Sequence, residues 1–370
     1  MKKVLVPRVR FKGFDEEWKE DTIGNIANIT NGKLDANAMV KSGMYNFYTS
    51  GIDVYKIDKY SFEGEGISIA GNGVNMGYMH LVSGKYNAYQ RTYILNNIKI
   101  DRHFLFYNLW KNFWEFCQKN TREGSIPYLL YNDISDFKIF KSHSNEQQKI
   151  GKLLENIDNL ITLEEIKLNK LKQLKQTLLQ KIFPEGNSKI PRIRFKGFEG
   201  EWKEEKLEYI AKVTNGKSNT SDNNKWGQYN LYIRSEEIYK SNKYIFDVEG
   251  VITVGDGNIG KIFHYVNGKF DLHQRCYLIY EFQNIWPKYF YYYFSQNFYK
   301  RAILMSYTAT VNSIRMNTIT DMDIMFPKEL IEQQKIGDFF CKIDTLINLY
   351  QSKLKKLKKI KEALLQKMFV

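Results

Sequence analysis

Apolar and polar positions in this chain follow two different rules. Between residues 6 and 144, and again between 190 and 329, short runs alternate and are cut by Gly and Asn, as in GISIAGNGV (66–74) and GVITVGDGN (250–258). That pattern predicts strands joined by tight turns. Aromatic runs follow, HFLFYNLWKNF (103–113) and KYFYYYFSQNF (288–298), with too few polar residues for a solvated surface, so they predict buried helices. From Glu146 to Phe183 the rule changes. This stretch has no Pro and one Gly. Ile150, Ile157, Leu171 and Leu178 recur every seven residues, widened by Leu153, Leu154, Leu160, Ile161, Leu168, Leu174 and Ile182. A long helix with a wide apolar stripe is expected, about 57 Å long. Pro184 ends it. A second helix carries the same period at Ile336, Ile343, Tyr350, Leu357 and Leu364. Each such helix needs a partner, and the duplicate is the nearest candidate, paired antiparallel.

The two rules alternate because the chain is duplicated. VPRVRFKGFDEEWKEDTIGNIANITNGK (6–33) is answered by IPRIRFKGFEGEWKEEKLEYIAKVTNGK (190–217), an offset of 184 residues without a gap. GKYNAYQRTYIL (84–95) matches GKFDLHQRCYLI (268–279), and the long helices match from EQQKIG to their ends. The fold class expected is α+β: two globular domains joined by two long antiparallel helices, with a pseudo-twofold internal repeat. The boundaries are a first domain at 1–144, a first helix at 145–183, a linker at 184–191, a second domain at 190–330 and a second helix at 331–370. Phe183 leads into Ile190 through a short link, so the repeat also predicts that Phe369 ends beside Val6.

Charge narrows the partner. Lys and Arg number 55 against 41 Asp and Glu, a formal net charge of +14, which favours an anionic partner, nucleic acid first. Three cysteines, Cys117, Cys276 and Cys341, form no CxxC pair and are odd in number. Reduced thiols in a cytoplasm are expected rather than a disulfide framework. The N-terminus lacks the apolar run of a signal peptide, and no stretch of about 18 apolar residues exists to span a membrane. Catalytic signatures are missing: no HExxH, no P-loop, no metal-ligand spacing. The GxG turns lack the rest of a nucleotide fingerprint. With six prolines and no adjacent pair, an Asn/Asp-Pro-Pro-aromatic methyltransferase motif is excluded.

The ordered motifs resemble those of the specificity subunits of type I restriction–modification enzymes. The residues that carry this are PRxRFKGF…EWK at 7–19 and 191–203, TNGK at 30–33 and 214–217, EQQKIG…ID at 146–158 and 332–344, and LLQKxF at 178–183 and 364–369. The resemblance implies two target-recognition domains, each reading one half of a split double-stranded DNA target. It implies helices that set the gap and dock two methyltransferase (modification) subunits, with restriction/translocase subunits further out. It implies a non-catalytic chain with no cofactor of its own, S-adenosylmethionine, ATP and magnesium being bound by the partners. The alternatives are a stand-alone DNA-binding or structural protein without enzyme partners, and an enzyme with a disguised methyltransferase site.

Candidate DNA-binding residues follow from the chemistry of readout. Gln90–Arg91 and Gln274–Arg275 have the donors and acceptors to pair with adenine and guanine; shared by both halves, they are equally suited to touching backbone, supporting a loop or serving the fold alone. Lys33 and Lys217, after the repeated Thr-Asn-Gly, are candidate phosphate ligands. Residues that differ between halves are expected to carry sequence preference. In the first half these include Tyr45, Tyr48, Ser50, Asn72, Asn75 and the stretch Arg122–Tyr128. In the second they include Trp226, Tyr229, Arg234, Asn258 and the run 308–315, with Ser313 and Arg315. The Lys-rich stretch 353–361 reads as a solvated face.

Overall fold

In the computed structural model the described residues are 5–119, 126–186, 188–308 and 312–370. The chain forms two compact units, residues 1–165 with 352–370, and residues 166–351.

The first unit runs β1 (Lys19–Thr22), α1 (Ile23–Ile26), β2 (Asn28–Asn31), β3 (Tyr45–Tyr48), β4 (Val54–Ile57), β5 (Phe62–Glu63), β6 (Gly66–Ala70), β7 (Met79–Val82), β8 (Lys85–Ala88), β9 (Thr92–Asn96), α2 (Arg102–Lys119), α3 (Tyr131–Ser135), β10 (Lys138–Lys141) and then α4 (Ser144–Ile182), which leaves the unit after residue 165. One sheet has the order β2-β9-β6-β7, another β4-β3-β8-β5, and β1 pairs with β10. The aromatic run is buried as expected: Phe104, Leu105, Tyr107, Leu109 and Phe113 of α2 pack against Ile67, Ile69 and Leu95 of the first sheet.

The second unit repeats this as β11 (Lys203–Lys206), α5 (Leu207–Ile210), β12 (Lys212–Asn215), β13 (Tyr229–Tyr232), β14 (Tyr239–Ser241), β15 (Phe246–Val254), β16 (Phe263–Leu272), β17 (Cys276–Tyr280), α6 (Pro287–Leu304), β18 (Tyr307–Thr308), β19 (Asn312–Ser313), α7 (Met316–Thr320), β20 (Asp323–Phe326) and α8 (Leu330–Met368). Here one six-stranded sheet, β12-β17-β15-β16-β13-β14, replaces the two four-stranded ones. The topology is the same; β15 and β16 simply run unbroken. Gly64 and Glu65 separate β5 from β6 in the first unit, whereas Val248 and Glu249, at the equivalent place, continue the strand. The Gly-Asn turns are wider than expected: eight residues, 71–78 and 255–262, separate the strands, because each turn reaches out to pair with another segment.

The long helices pair antiparallel within each unit. In the first, Asp158 meets Lys361 at 2.6 Å and Glu164 meets Lys353 at 2.9 Å. In the second, Lys175 meets Asp344 at 2.5 Å. Ile150, Leu154, Ile157, Ile161 and Leu168 of α4 are buried, as are Ile336, Phe340, Ile343, Ile347 and Leu354 of α8. The seam is narrower than the sequence stripe. Leu160 and Leu174 are exposed, because a two-helix contact covers less than the full stripe. The Lys-rich stretch 353–361 is a solvated face as expected, with Lys353, Lys355, Lys356, Lys358 and Lys359 exposed; Lys353, Lys358 and the half-buried Lys361 also reach Glu164, Glu165 and Asp158 across the helix pair.

The repeated motifs turn out to be one joint, built twice. Arg10 of the opening segment donates through Nε and Nη2 to both carboxylate oxygens of Glu146 at 2.7 and 2.9 Å; Arg194 and Glu332 repeat this at the same distances. Both carboxylates are fully buried. The next residue, Gln147, accepts from the Asp101 N–H and donates to the Ser142 carbonyl; Gln333 accepts from Trp286 N–H and donates to the Pro327 carbonyl. The motif's glycine lets the aromatic helix approach: a Cβ on Gly151 would sit 2.4 Å from Asp101 Oδ1, and one on Gly337 2.9 Å from the Tyr289 nitrogen. Its aspartates, Asp158 and Asp344, accept from Tyr107 and Tyr292 hydroxyls at 2.7 Å. Burial first, and then those bonds to charged acceptors, push both phenols well up. The terminal phenylalanines close the joint. Phe369 packs edge-on to Trp18, and Val9 N–H donates to the Lys367 carbonyl at 2.9 Å, so the two ends of the chain do meet. Phe183 packs on Tyr289 and Tyr293.

Truncating one member strands a buried charge, so Glu146→Ala should destabilise the first unit by about 3–5 kcal/mol in denaturant unfolding. The double variant Arg10→Met/Glu146→Leu, which removes both charges, should recover most of that loss. A single variant within about 1 kcal/mol of wild type would contradict the role of this pair.

Candidate functional site

Four chain segments converge where strands end in the second unit. β16 ends at Leu272, and His273, Gln274 and Arg275 turn the chain into β17. β13 leads to Arg234, β15 leads to Asp256, and Ser218 bridges to His273 before a 3₁₀ turn at Thr220–Asp222. Asn219, Thr220, Ser221, Arg234, Asp256, His273, Gln274 and Arg275 line the resulting open cleft. Its floor is fixed by buried Asp271, which accepts from Ser218 and Ser241 hydroxyls at 2.6 and 2.8 Å.

The cleft is polar and charged. Arg234 Nη1 donates to both oxygens of Asp256 at 3.2 and 3.1 Å. Arg275 Nη1 lies 3.9 Å from the same carboxylate. Gln274 Nε2 donates to Asn219 Oδ1 at 2.6 Å. His273 Nδ1 accepts from the Arg275 N–H at 3.0 Å, which assigns the proton of the neutral ring to Nε2. Burial, and then the charge of Arg234, push the His273 pKa below its ordinary value. The neutral ring is therefore favoured.

The first unit places Ser50, Asn72, Gln90 and Arg91 at the equivalent strand ends, with Leu34 bridging to Tyr89 as Ser218 does to His273. Here a neutral pair replaces the ion pair: Ser50 Oγ donates to Asn72 Oδ1 at 2.5 Å. Gln90 and Arg91 are exposed like Gln274 and Arg275. Gln90 and Gln274 N–H groups hold the turn, each donating at 2.8 Å, to the Leu34 and Ser218 carbonyls.

The remaining candidates divide. Lys33 and Lys217 are exposed beside the cleft turns. The glycines before them sit so close to strand carbonyls, 2.0 and 2.1 Å from a Cβ position, that no other residue fits. Trp226 is 87% exposed, with the Lys225 ammonium 5.7 Å from its ring centre. Asn258 and Arg315 are exposed, while Asn75 and Ser313 are half-buried, Ser313 bridging to Asp256. Tyr48 is a correction: it is 5% exposed and packs on Tyr86 and His80, so it belongs to the core. Tyr45 and Tyr229 also correct the expectation that they differ between halves. They hold the same register in β3 and β13, half-buried against Tyr60 and Tyr244. Arg122 lies outside the described residues, as do residues 309–311 of the second run. Asp256 and His273 were missed by sequence reasoning. The signal for Asp256 was the change from Gly-Asn-Gly to Gly-Asp-Gly at one offset.

Among the described residues no cluster of His, Cys, Asp or Glu is arranged to hold a metal ion, and no helix is long and apolar enough to cross a membrane. Burial pushes the Cys117 and Cys276 thiols up to about 12, away from nucleophilic use.

The fold is thus a duplicated α+β unit with a long helix, carrying matched strand ends of different side-chain chemistry. A family model described as the type I restriction modification DNA specificity domain matches residues 15–173 and again 199–359. The chain belongs to that family. It is 34% identical over 139 residues to the type I restriction enzyme EcoDI specificity subunit of Escherichia coli, an alignment covering 38% of this chain and 31% of that protein. The matched region thus spans about a third of the curated relative. Among solved structures it resembles the type I restriction–modification S subunit from M. genitalium, with a TM-score of 0.78 at 17% identity over 99% of both chains. It also resembles a chain from a structure described as the basis of complex assembly and conformational transition of the type I R-M system. That likeness has a TM-score of 0.51 at 14% identity, over 96% of this chain and 98% of that one. These two likenesses speak to the fold.

The cleft electrostatics can be read directly. His273 should titrate below 6.5 in an NMR pH series. Arg234→Ala removes a cation that opposes protonation, so the midpoint should rise. A midpoint unmoved or lowered by that variant would show that Arg234 does not face the ring.

Proposed function

We propose that this chain is the DNA-recognition subunit of a type I restriction–modification complex, acting in the cytoplasm. Each unit reads one half of a bipartite double-stranded target through its strand-end cleft. The observation that carries this reading is that one scaffold appears twice, matched twice by the specificity-domain family, with its cleft side chains changed between copies. A shared scaffold explains a shared mode of docking, and changed cleft residues explain two different half-sites.

The net charge of +14 supplies sequence-independent attraction to phosphates, with exposed Lys33 and Lys217 as contributors. The chain performs no chemistry itself. Methylation and cleavage belong to two modification subunits and to restriction/translocase subunits, which bind S-adenosylmethionine, ATP and magnesium. Exposed Leu160, Leu163 and Leu174 of α4 and Leu346 and Leu349 of α8 offer apolar surface for docking them. Helix α4 runs unbroken from one unit into the other, and we assign to α4 and α8 the length of the gap between half-sites.

Mapping methylated adenines in cells that express this chain with modification subunits tests the reading. A two-part motif with a fixed gap is expected. A single continuous motif, or methylation independent of this chain, would contradict it. Inserting four residues near Thr177 adds about 6 Å of helix rise, or one to two base pairs at about 3.4 Å each. The gap should lengthen by that much with both half-site sequences kept; an unchanged gap at full activity would remove the helices as the ruler.

A further inference from the structure

Positions 72 and 256 are held by the same clamp but carry different side chains. In the second unit Ile314 N–H donates to the Gly255 carbonyl, Gly257 N–H donates to Asn312, and the Tyr277 hydroxyl donates to the Ile314 carbonyl. In the first unit Leu129 N–H donates to Gly71, Gly73 N–H donates to Pro127, and the Tyr93 hydroxyl donates to the Leu129 carbonyl. The backbone around each position is therefore fixed identically, and what varies is the group it presents. Asp256 is 8% exposed. A buried carboxylate is an odd choice in a basic protein whose ligand is a polyanion, since it opposes phosphate binding. Its use is to orient cations. It takes both bonds from Nη1 of Arg234, so that the other edge of the guanidinium, Nε and Nη2, stays outside this ion pair on a side chain that is 46% exposed. That edge is the fork that pairs with O6 and N7 of guanine.

We infer that the Arg234–Asp256 pair specifies one guanine in the half-site read by the second unit, Arg234 touching the base and Asp256 positioning it. The neutral Ser50–Asn72 pair sets a different base preference at the matched place in the first. This rests on the functional reading above and adds the residues that carry one position of the code. Ser50 and Asn72, joined by their own hydrogen bond, carry no guanidinium fork to donate to O6 and N7 of guanine, so the two places cannot read the same base in the same way. Gln90–Arg91 and Gln274–Arg275, identical in both clefts, fit contacts common to any sequence.

The test is the methylated-site map of the complete complex containing wild type, Arg234→Ser/Asp256→Asn, Arg234→Lys, or the reciprocal Ser50→Arg/Asn72→Asp. The first variant should lose the guanine requirement at one position of one half-site, leaving its other positions and the other half-site intact. Arg234→Lys keeps the charge and breaks the fork, so discrimination there should fall by about 10-fold or more. The reciprocal variant should alter one position of the opposite half-site only. Thermal denaturation of each variant separates misfolding from altered reading, and Arg234→Lys carries the test if the double variants fail to fold. A wild-type bipartite map that all folded variants reproduce, at whatever rate, would overturn this inference and leave the functional reading standing. No chain-dependent methylation by wild type would overturn both.

Discussion

A buried guanidinium–carboxylate fork holds each unit together. Arg10 with Glu146, and Arg194 with Glu332, tie the segment that enters a domain to the helix that leaves it. Neither carboxylate touches solvent, so each charge depends on its partner. Everything else in the joint is arranged around that fork. The adjacent glutamine satisfies backbone groups at the start of the aromatic helix, the glycine four residues beyond the glutamine lets that helix approach, and the aspartate a further turn or two along accepts its tyrosine hydroxyl. These residues recur in both halves because the same joint is made twice. Their repetition records architecture rather than chemistry performed on a ligand.

That distinction explains what could be read from the sequence. The duplication, the long helices and the buried aromatic helices were legible because periodicity reports burial directly. The meaning of EQQKIG was not, since its partners Arg10 and Asp101 are far away in sequence. The width of the helix seam was overestimated for a similar reason: a stripe shows which residues are apolar, not how many a single partner helix can cover. Among candidate site residues, Arg234, Gln274 and Arg275 were found together, as were Ser50, Asn72, Gln90 and Arg91. Tyr48 was misplaced because an aromatic in a strand looks the same whether it faces a core or a groove. Asp256 was overlooked because an acidic residue does not announce itself in a search for phosphate and base contacts; only its guanidinium partner reveals its part.

The two sets of strand ends show how one fold can hold different side-chain chemistry. The strand ends, the clamp on the Gly-Asn or Gly-Asp turn and the Gln-Arg turn are common. One pair of positions changes from a neutral hydroxyl–amide bond to an ion pair. Because those side chains project from a backbone pinned on both sides, they can change without disturbing the joint some distance away. Division of labour between an invariant frame and a few substituted positions is what a reader of varied sequences requires.

We propose that each unit reads its own half-site independently on a common frame. Exchanging residues 34–144 for the matching segment of a relative, and mapping methylated adenines with the partner subunits present, tests this most directly. The account predicts one half-site replaced by that of the donor, with the other half-site and the gap unchanged. If both half-sites change together, the units are not separate readers and the account is wrong.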